Sequence, residues 1–362
     1  MKKLKIGIIG CGGIAMQKHL PSLQLIDSVE VVAFCDIIVE KAELAKSEFG
    51  TKDSQVYKDY KELLKDQTID IIHVCTPNRS HSYITVDALE SGKHVMCEKP
   101  MAINSAEAQK MVDAAKKTGK KLTIGYQNRF RGDSLYLKEE SDKGVFGDIY
   151  YAKAHAIRRR AVPTWGVFLN EYEQGGGPLI DIGTHALDLT LWMMNNYKPK
   201  IVLGSVFHKL GKQTQTANAW GDWKTDELTV EDSAFGYIVM ENGATIVLES
   251  SWALNSLDIR EAQTTLCGTL AGADMQDGLR INYVKNNRQV IENPSFRAGG
   301  VAFYKGGVEK PDHLEARMWI DSILNDTEPL VTPQQAFIVT LILEAIYESA
   351  KLGKPIYFGD HK

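Results

Sequence analysis

Hydrophobic residues along the first third of the chain follow two alternating rhythms. Short, nearly unbroken apolar runs occur at Lys5 to Ile9, Val29 to Cys35, Ile69 to Cys75, His94 to Cys97 and Leu122 to Tyr126. Between them, apolar residues recur at helical spacing over Ile14 to Leu25, Val39 to Phe49, Ser80 to Ser91 and Ser105 to Thr118. A strand apolar on both sides must be covered on both sides, so the pattern predicts a doubly wound parallel sheet, an α/β Rossmann domain over 1–126. Pro21, inside the first helical stretch, predicts a bend there.

Beyond Tyr126 the rhythm changes. Ile149 to Ile157, Ile201 to Phe207, Ser233 to Met240, Ala244 to Trp252, Asp258 to Cys267 and Leu279 to Val284 read as strands. Asn242-Gly243 sits between two of them, and because both residues tolerate positive φ it predicts a tight hairpin. Helical patterns at Leu179 to Asn195, His313 to Asn325 and Pro333 to Leu352 are expected to cover one face of a large, mostly antiparallel open sheet. Residues 127–362 thus form an α+β domain, whose terminal helix 333–352 is long enough to pack back on the first. Gly211 to Thr229 is polar and aperiodic, a loop or mobile excursion.

Composition narrows the function. A length of 362 residues suits two domains rather than one core. With 42 Lys and Arg against 46 Asp and Glu, the net charge is −4 and no sustained basic run appears, which argues against a nucleic-acid partner. No apolar stretch reaches the roughly 20 residues that span a bilayer, so no membrane partner is expected. The basic start Met1 to Lys5 leads through a short apolar run into Gly10-Cys11-Gly12-Gly13 rather than a cleavage site, and a cytoplasmic protein is expected. Five cysteines show neither CxxC nor Cys/His zinc spacing, so no metal is expected. Cys11, Cys35, Cys75 and Cys97 fall at or near strand ends, as buried free thiols would.

The first strand runs straight into Gly10-Cys11-Gly12-Gly13-Ile14-Ala15, with Gly10, Gly12 and Ala15 at the G-x-G-x-x-G/A positions. Such a turn lets backbone approach a pyrophosphate at a helix N-terminus. Gly13 and Ile14 share that turn. Asp36 ends the second strand, where a carboxylate accepts from ribose hydroxyls and repels a 2′-phosphate. Ile37 and Ile38 supply no compensating cation, so NAD is favoured over NADP.

Three further constellations could carry chemistry. Thr76-Pro77-Asn78 with His81 follows the third apolar run, and Glu98-Lys99-Pro100 the fourth, at strand ends where such folds bind ligands. A Pro-Asn turn with a capping Ser80, and an exposed Glu-Lys pair, are the plain alternatives. Lys99 could stabilise a developing alkoxide, and a cis bond to Pro100 would fix its direction. Gly175-Gly176-Gly177 leads into an apolar helix with Asp181 and His185 four residues apart, on one face if helical, as a base and its orienting carboxylate require. A capping Asp and a satisfied core His would look the same. Arg158 and Arg160 share a strand face, with Arg159 opposite. Arg158 and Trp165 could line a polar pocket, or belong to a solvated basic strand.

Taken in order, these residues resemble the Gfo/Idh/MocA oxidoreductases, the glucose-fructose oxidoreductase and inositol dehydrogenase family. The likeness also takes in Gly125-Tyr126-Gln127-Asn128-Arg129-Phe130 and the closing segment Thr332-Pro333 to Lys354-Pro355. It implies an NAD-dependent dehydrogenase oxidising a hydroxyl of a sugar, cyclitol or related polyol. The second domain would carry substrate binding and the interface of a homodimer or homotetramer. Lys99, Asp181 and His185 would be catalytic, and Lys99, Arg158, Trp165, Asp181 and His185 would meet substrate. Gly10, Gly12, Gly13, Ile14, Asp36, Thr76, Pro77, Asn78, His81, Glu98, Lys99, Gln127 and Trp165 would line the cofactor. Glycoside cleavage through transient oxidation by bound NAD, and a non-catalytic dinucleotide sensor, are the alternatives.

Overall fold

A computed structural model describes residues 3–213, 217–296 and 309–359. The chain forms two compact units, one of residues 1–127 with 309–337 and one of 128–308 with 338–362.

In the first unit, β1 (Leu4–Ile9), β2 (Val29–Cys35), β3 (Gln55–Tyr57), β4 (Ile71–Val74), β5 (His94–Cys97) and β6 (Leu122–Ile124) form one sheet in the order β3-β2-β1-β4-β5-β6. Every pairing is parallel. The strand order reverses between β1 and β4, and a crevice at the carboxyl ends of such strands is where doubly wound sheets hold ligands. Ile6, Ile8, Phe34, Ile71 and Met96 form the core with Leu20 and with Trp319 and Ile320 of the helix Pro311–Leu324. The first helix is less regular than its periodicity predicts. A π-helical turn at Ala15–His19 runs directly into α-helix at Leu20–Leu23, and Pro21, which has no N–H to give to the preceding turn, falls just after the π turn. Strand β3 and the helix Tyr60–Leu64 were not legible, being too short for periodicity to register.

In the second unit, β7 (Ile149–Ile157), β8 (Pro199–Phe207), β9 (Ser233–Met240), β10 (Thr245–Ser251), β11 (Arg260–Gly268), β12 (Ala271–Asp274), β13 (Arg280–Lys285), β14 (Arg288–Glu292) and β15 (Ile356–Tyr357) make one sheet ordered β14-β13-β12-β11-β7-β10-β9-β8-β15. Among the described residues of this sheet, only β7 and β10 pair in parallel. The β9–β10 hairpin exists, but its loop is not the two-residue turn that Asn242-Gly243 suggests. Met240 N–H donates to Ala244 O, and only Gly243 takes positive φ, while Asn242 Oδ1 accepts from Ala244 N–H. This is a three-residue loop closed by a left-handed glycine. The helix Thr184–Met194 lies on β7 and β11 and is buried along most of its length, its polar Thr184, Asp188 and Thr190 included. Gly204 is required where the final helix crosses the sheet, because a Cβ there would strike Ile346 O, and a Cβ on Gly236 would meet the Ile346 side chain.

The segment from Gly211 to Thr229 has no regular element among its described residues, as expected; 214–216 lie outside them. It is nevertheless anchored. Trp223 is buried and donates to Gly211 O at 2.8 Å, and Leu228 is buried beside it. All five cysteines are free thiols; Cys11, Cys35, Cys75 and Cys97 are buried and Cys267 half-buried.

Candidate active site

The glycine turn is built for close approach. Gly10 has φ +90, and a Cβ there would sit 2.6 Å from Cys75 O, so only glycine lets β1 and β4 end side by side. Gly12 and Gly13 face open space, with no atom within 4 Å of an added Cβ. Gly13 and Ile14 are exposed while Ala15 is fully buried, so the turn presents backbone to solvent and its helix packs closely behind. The Asp36 carboxylate is half-buried at the tip of β2. It accepts from Cys11 N–H and Ile38 N–H, each at 2.9 Å, which ties it to the glycine turn. An open glycine cradle at a helix start with an acid beside it fits NAD.

Thr76 and Pro77 follow β4, and the helix begins at Asn78. Ser80 therefore lies inside the first turn rather than capping it, and its hydroxyl donates to Thr76 Oγ1 or Pro77 O. His81 is buried, with Nδ1 2.8 Å from Pro100 O and Nε2 2.8 Å from Thr76 O. Burial pulls its pKa down against the pull of those carbonyls, so the ring is a brace between the β4 and β5 loops rather than an exposed contact. The Lys99–Pro100 peptide is cis. Gln127 opens a short 3-10 turn and is half-buried, like Lys99.

Glu98 points inward. Its Oε1 lies 2.8 Å from both Lys18 Nζ and His19 Nε2, and its Oε2 accepts from Lys99 N–H. Gly125 leaves room for this carboxylate, which a Cβ would approach to 3.2 Å. Lys18 also meets Glu315 Oε2 at 2.8 Å, and His19 Nδ1 meets His73 Nδ1 at 2.9 Å. Burial opposes charge on Glu98, but Lys18 and the His19 hydrogen bond overcome it and hold the carboxyl well below the usual range. Burial lowers both histidines, consistent with a neutral relay in which His73 donates to His19 and His19 to Glu98. Burial pushes Glu315 up to about 7, with Lys18 opposing and Glu98 adding. Lys18, His19, His73 and Glu315 escaped the sequence reading. The available signal was that Lys18 and His19 sit three and four residues after Ala15, on the face where a helix packs inward.

In the second unit, Asp181 lies in a π-helical turn, Leu179–Gly183, that continues into the helix carrying His185. The wider turn replaces the simple α-helical i,i+4 relation that the spacing predicts. Asp181 and His185 remain half-buried while Ile182, Gly183 and Thr184 between them are buried. Glu231 holds the start of this turn. It is buried, and its carboxylate accepts from Gly177 N–H at 2.8 Å, Leu179 N–H at 3.1 Å and Tyr347 Oη at 2.8 Å.

Asp181 Oδ2 accepts from Trp252 Nε1 at 3.0 Å and lies 3.8 Å from Arg158 Nη1. Arg158 is fixed from behind by a bidentate pair with Glu261, its Nε donating to Oε2 at 2.6 Å, and its guanidinium lies 5.2 Å over the Trp220 ring. Arg158 is thus not part of a solvated strand. Trp165 is exposed and packs edge-on against Trp220 with centroids 4.9 Å apart. Trp252 and Glu261 were not foreseen, since partners 71 and 103 residues away leave no local pattern.

The first unit's cradle and the second unit's mixed sheet both match known family models. Residues 4–126 match the oxidoreductase family with an NAD-binding Rossmann fold, and 138–358 match that family's C-terminal alpha/beta domain. The chain belongs to the Gfo/Idh/MocA oxidoreductases. It is 34% identical to D-glucoside 3-dehydrogenase of Escherichia coli over 351 residues, covering 97% of this chain and 96% of the relative. Inositol 2-dehydrogenase of Salmonella typhimurium is 32% identical over 198 residues, 54% of this chain and 56% of that one. Among solved structures, levoglucosan dehydrogenase in complex with NADH and L-sorbose shares the fold at a TM-score of 0.83 with 19% identity, over 99% of each chain. Aldose-aldose oxidoreductase from Caulobacter crescentus aligns at 0.79 with 22% identity, over 99% of this chain and 100% of that one. This family member is an NAD-dependent oxidoreductase. No helix among the described residues is long and apolar enough to cross a membrane.

Proposed function

We propose that this chain oxidises a secondary hydroxyl of a sugar, cyclitol or related polyol, with NAD as the acceptor. The observation that carries the reading is one chain holding both an open glycine cradle beside Asp36 and a half-buried Asp181 and His185 on an otherwise buried helix. Likeness over nearly the whole chain to a glucoside dehydrogenase supports a carbohydrate hydroxyl as the target.

When bound, the nicotinamide supplies a two-electron acceptor for hydride. In this reading Lys99 donates a hydrogen bond to the substrate oxygen and stabilises its developing negative charge. His185 takes the hydroxyl proton, so that loss of proton and hydride together leaves a ketone. Asp181 binds substrate or orients His185, while Arg158 and Trp165 border the substrate. Asp36 takes the ribose hydroxyls and disfavours a 2′-phosphate. Gly10, Gly12, Gly13 and Ile14 hold the pyrophosphate, with Thr76, Pro77, Asn78, Gln127 and Trp165 around the rest of the cofactor. Glu98 and His81 act from behind, by holding the backbone of Lys99 and of the Thr76 loop.

The test is to incubate the protein with polyols, sugars and glycosides plus NAD, following absorbance of reduced nicotinamide. NADH should form with at least one sugar or cyclitol. Lys99→Ala should cut turnover by orders of magnitude while leaving NAD affinity nearly intact, and equal loss of NAD binding would overturn its assigned role. Glycoside cleavage without net NADH would replace the dehydrogenase reading.

A homo-oligomer in the cytoplasm completes the proposal. Free thiols at all five cysteines support a reducing compartment. Leu203 and Tyr237, directly opposed on β8 and β9 and 45% and 49% exposed, support a face that a second copy covers. Light scattering reads the assembly.

A further inference from the structure

Trp165 and Trp220 leave 51% and 43% of their surface open, though two adjoining indoles in water are costly unless something covers them. They are held in a defined arrangement. Their rings meet edge to face at 4.9 Å and 80°, and Phe168 abuts Trp165 in the same manner at 5.9 Å. Thr164 Oγ1 donates to Trp220 O at 2.9 Å, and Asn218 exchanges hydrogen bonds with the Val162 backbone, so two separate loops are clamped to make one aromatic step.

The step is continuous with the chemistry. From Asp181 the next group outward is the Arg158 guanidinium at 3.8 Å, and beyond it, at 5.2 Å, the Trp220 ring. Glu261 fixes Arg158 in that place. Partly exposed indoles bordered by an arginine and the Asp181 and Glu261 carboxylates suit a ring whose faces are C–H and whose rim is polar. A lipid surface or an apolar helix would need a wider apolar area without that rim.

We propose that Trp165 and Trp220 form a stacking subsite for the second ring of a glycoside, sugar or aryl, while the oxidised ring lies at Asp181. The inference rests on the dehydrogenase reading and deepens it: the preferred substrate has two rings. Binding of the second ring is by apolar contact with the indole face, with Arg158 reaching its rim hydroxyls or the bridging oxygen.

The experiment compares methyl β-D-glucoside, a one-ring probe, with cellobiose and phenyl β-D-glucoside, two-ring probes. The readouts are kcat/KM with NAD and, without NAD, quenching of tryptophan fluorescence. The native protein should prefer a two-ring probe. Trp165→Ala should lower that preference about tenfold through KM, and Trp165→Phe, which keeps a flat ring, should keep most of it. Saturable quenching by cellobiose should be lost in Trp165→Ala. A preference that Trp165→Ala leaves unmoved, or absence of quenching by every two-ring probe, overturns the subsite. Quenching lost in Trp165→Ala with no NADH from any probe upholds the subsite and overturns the dehydrogenase reading instead.

Discussion

Lys18 Nζ lies 2.8 Å from Glu98 Oε1, with neither side chain more than 7% exposed. Desolvating an ammonium and a carboxylate is costly, and here the cost is offset because the same lysine also meets Glu315 and the same carboxylate also meets His19 and the Lys99 backbone. Removing the lysine strands both carboxylates. Lys18→Met should destabilise the protein by about 3–5 kcal/mol in urea unfolding. Adding Glu98→Gln should restore part of that loss. A single-variant loss below about 1 kcal/mol would mean that water reaches Glu98.

Glu315 is the excess acid of this cluster, and its carboxyl is pushed up to about 7 from an ordinary 4.5, first by burial. A carboxyl raised on folding binds its proton more tightly in the native state, so its contribution is full below about pH 4.5 and is lost as pH climbs to 7. Glu315→Gln, which keeps the shape and removes the charge, should flatten the pH dependence of unfolding over that window. The variant should gain most relative to the native protein above pH 7. Parallel stability curves for the two proteins would contradict this.

Asp36 is tied to the glycine turn through Cys11 N–H, and in the proposed function it takes the ribose hydroxyls. Asp36→Ser should raise KM for NAD about tenfold and narrow the gap to NADP, because the charge that repels a 2′-phosphate is gone. Steady-state kinetics with both cofactors decide it. An unchanged cofactor ratio would remove Asp36 from recognition.

Trp252 is buried and gives its one donor to Asp181. Trp252→Phe deletes that hydrogen bond, worth about 0.5–1.5 kcal/mol, while keeping most of the packing. Turnover with a substrate of the native enzyme should fall severalfold, with kcat affected more than NAD binding. If kcat is untouched, Asp181 does not depend on this partner.

Much of the architecture is visible from the chain alone. The helices Val39–Phe49, Ser105–Thr118 and Pro333–Leu352 and the strands Val29–Cys35, His94–Cys97, Ile149–Ile157 and Ser233–Met240 have the bounds their periodicity predicts. Gln55–Tyr57 and Ala271–Asp274 carry no apolar run of their own, whereas the equally short His94–Cys97 does. The periodicity of the first helix and of Leu179–Gly183 predicts ordinary α-helix, and both contain π turns. Composition does not report a π turn, because it depends on which backbone hydrogen bond each residue makes after packing.

Local sequence determined the NAD-binding fold of the first unit. The strand, the glycine turn, the helix and the acid ending the next strand are legible together because all four depend on residues near in sequence. Tertiary structure alone decided which polar groups are working surface and which are scaffold. Glu98, adjacent to Lys99, turns inward to Lys18 and His19, while Arg158 is turned toward Asp181 by Glu261. Those partners lie about 80 and 103 residues away. The free energy of a charge depends on what surrounds it in space, and no local pattern encodes that environment.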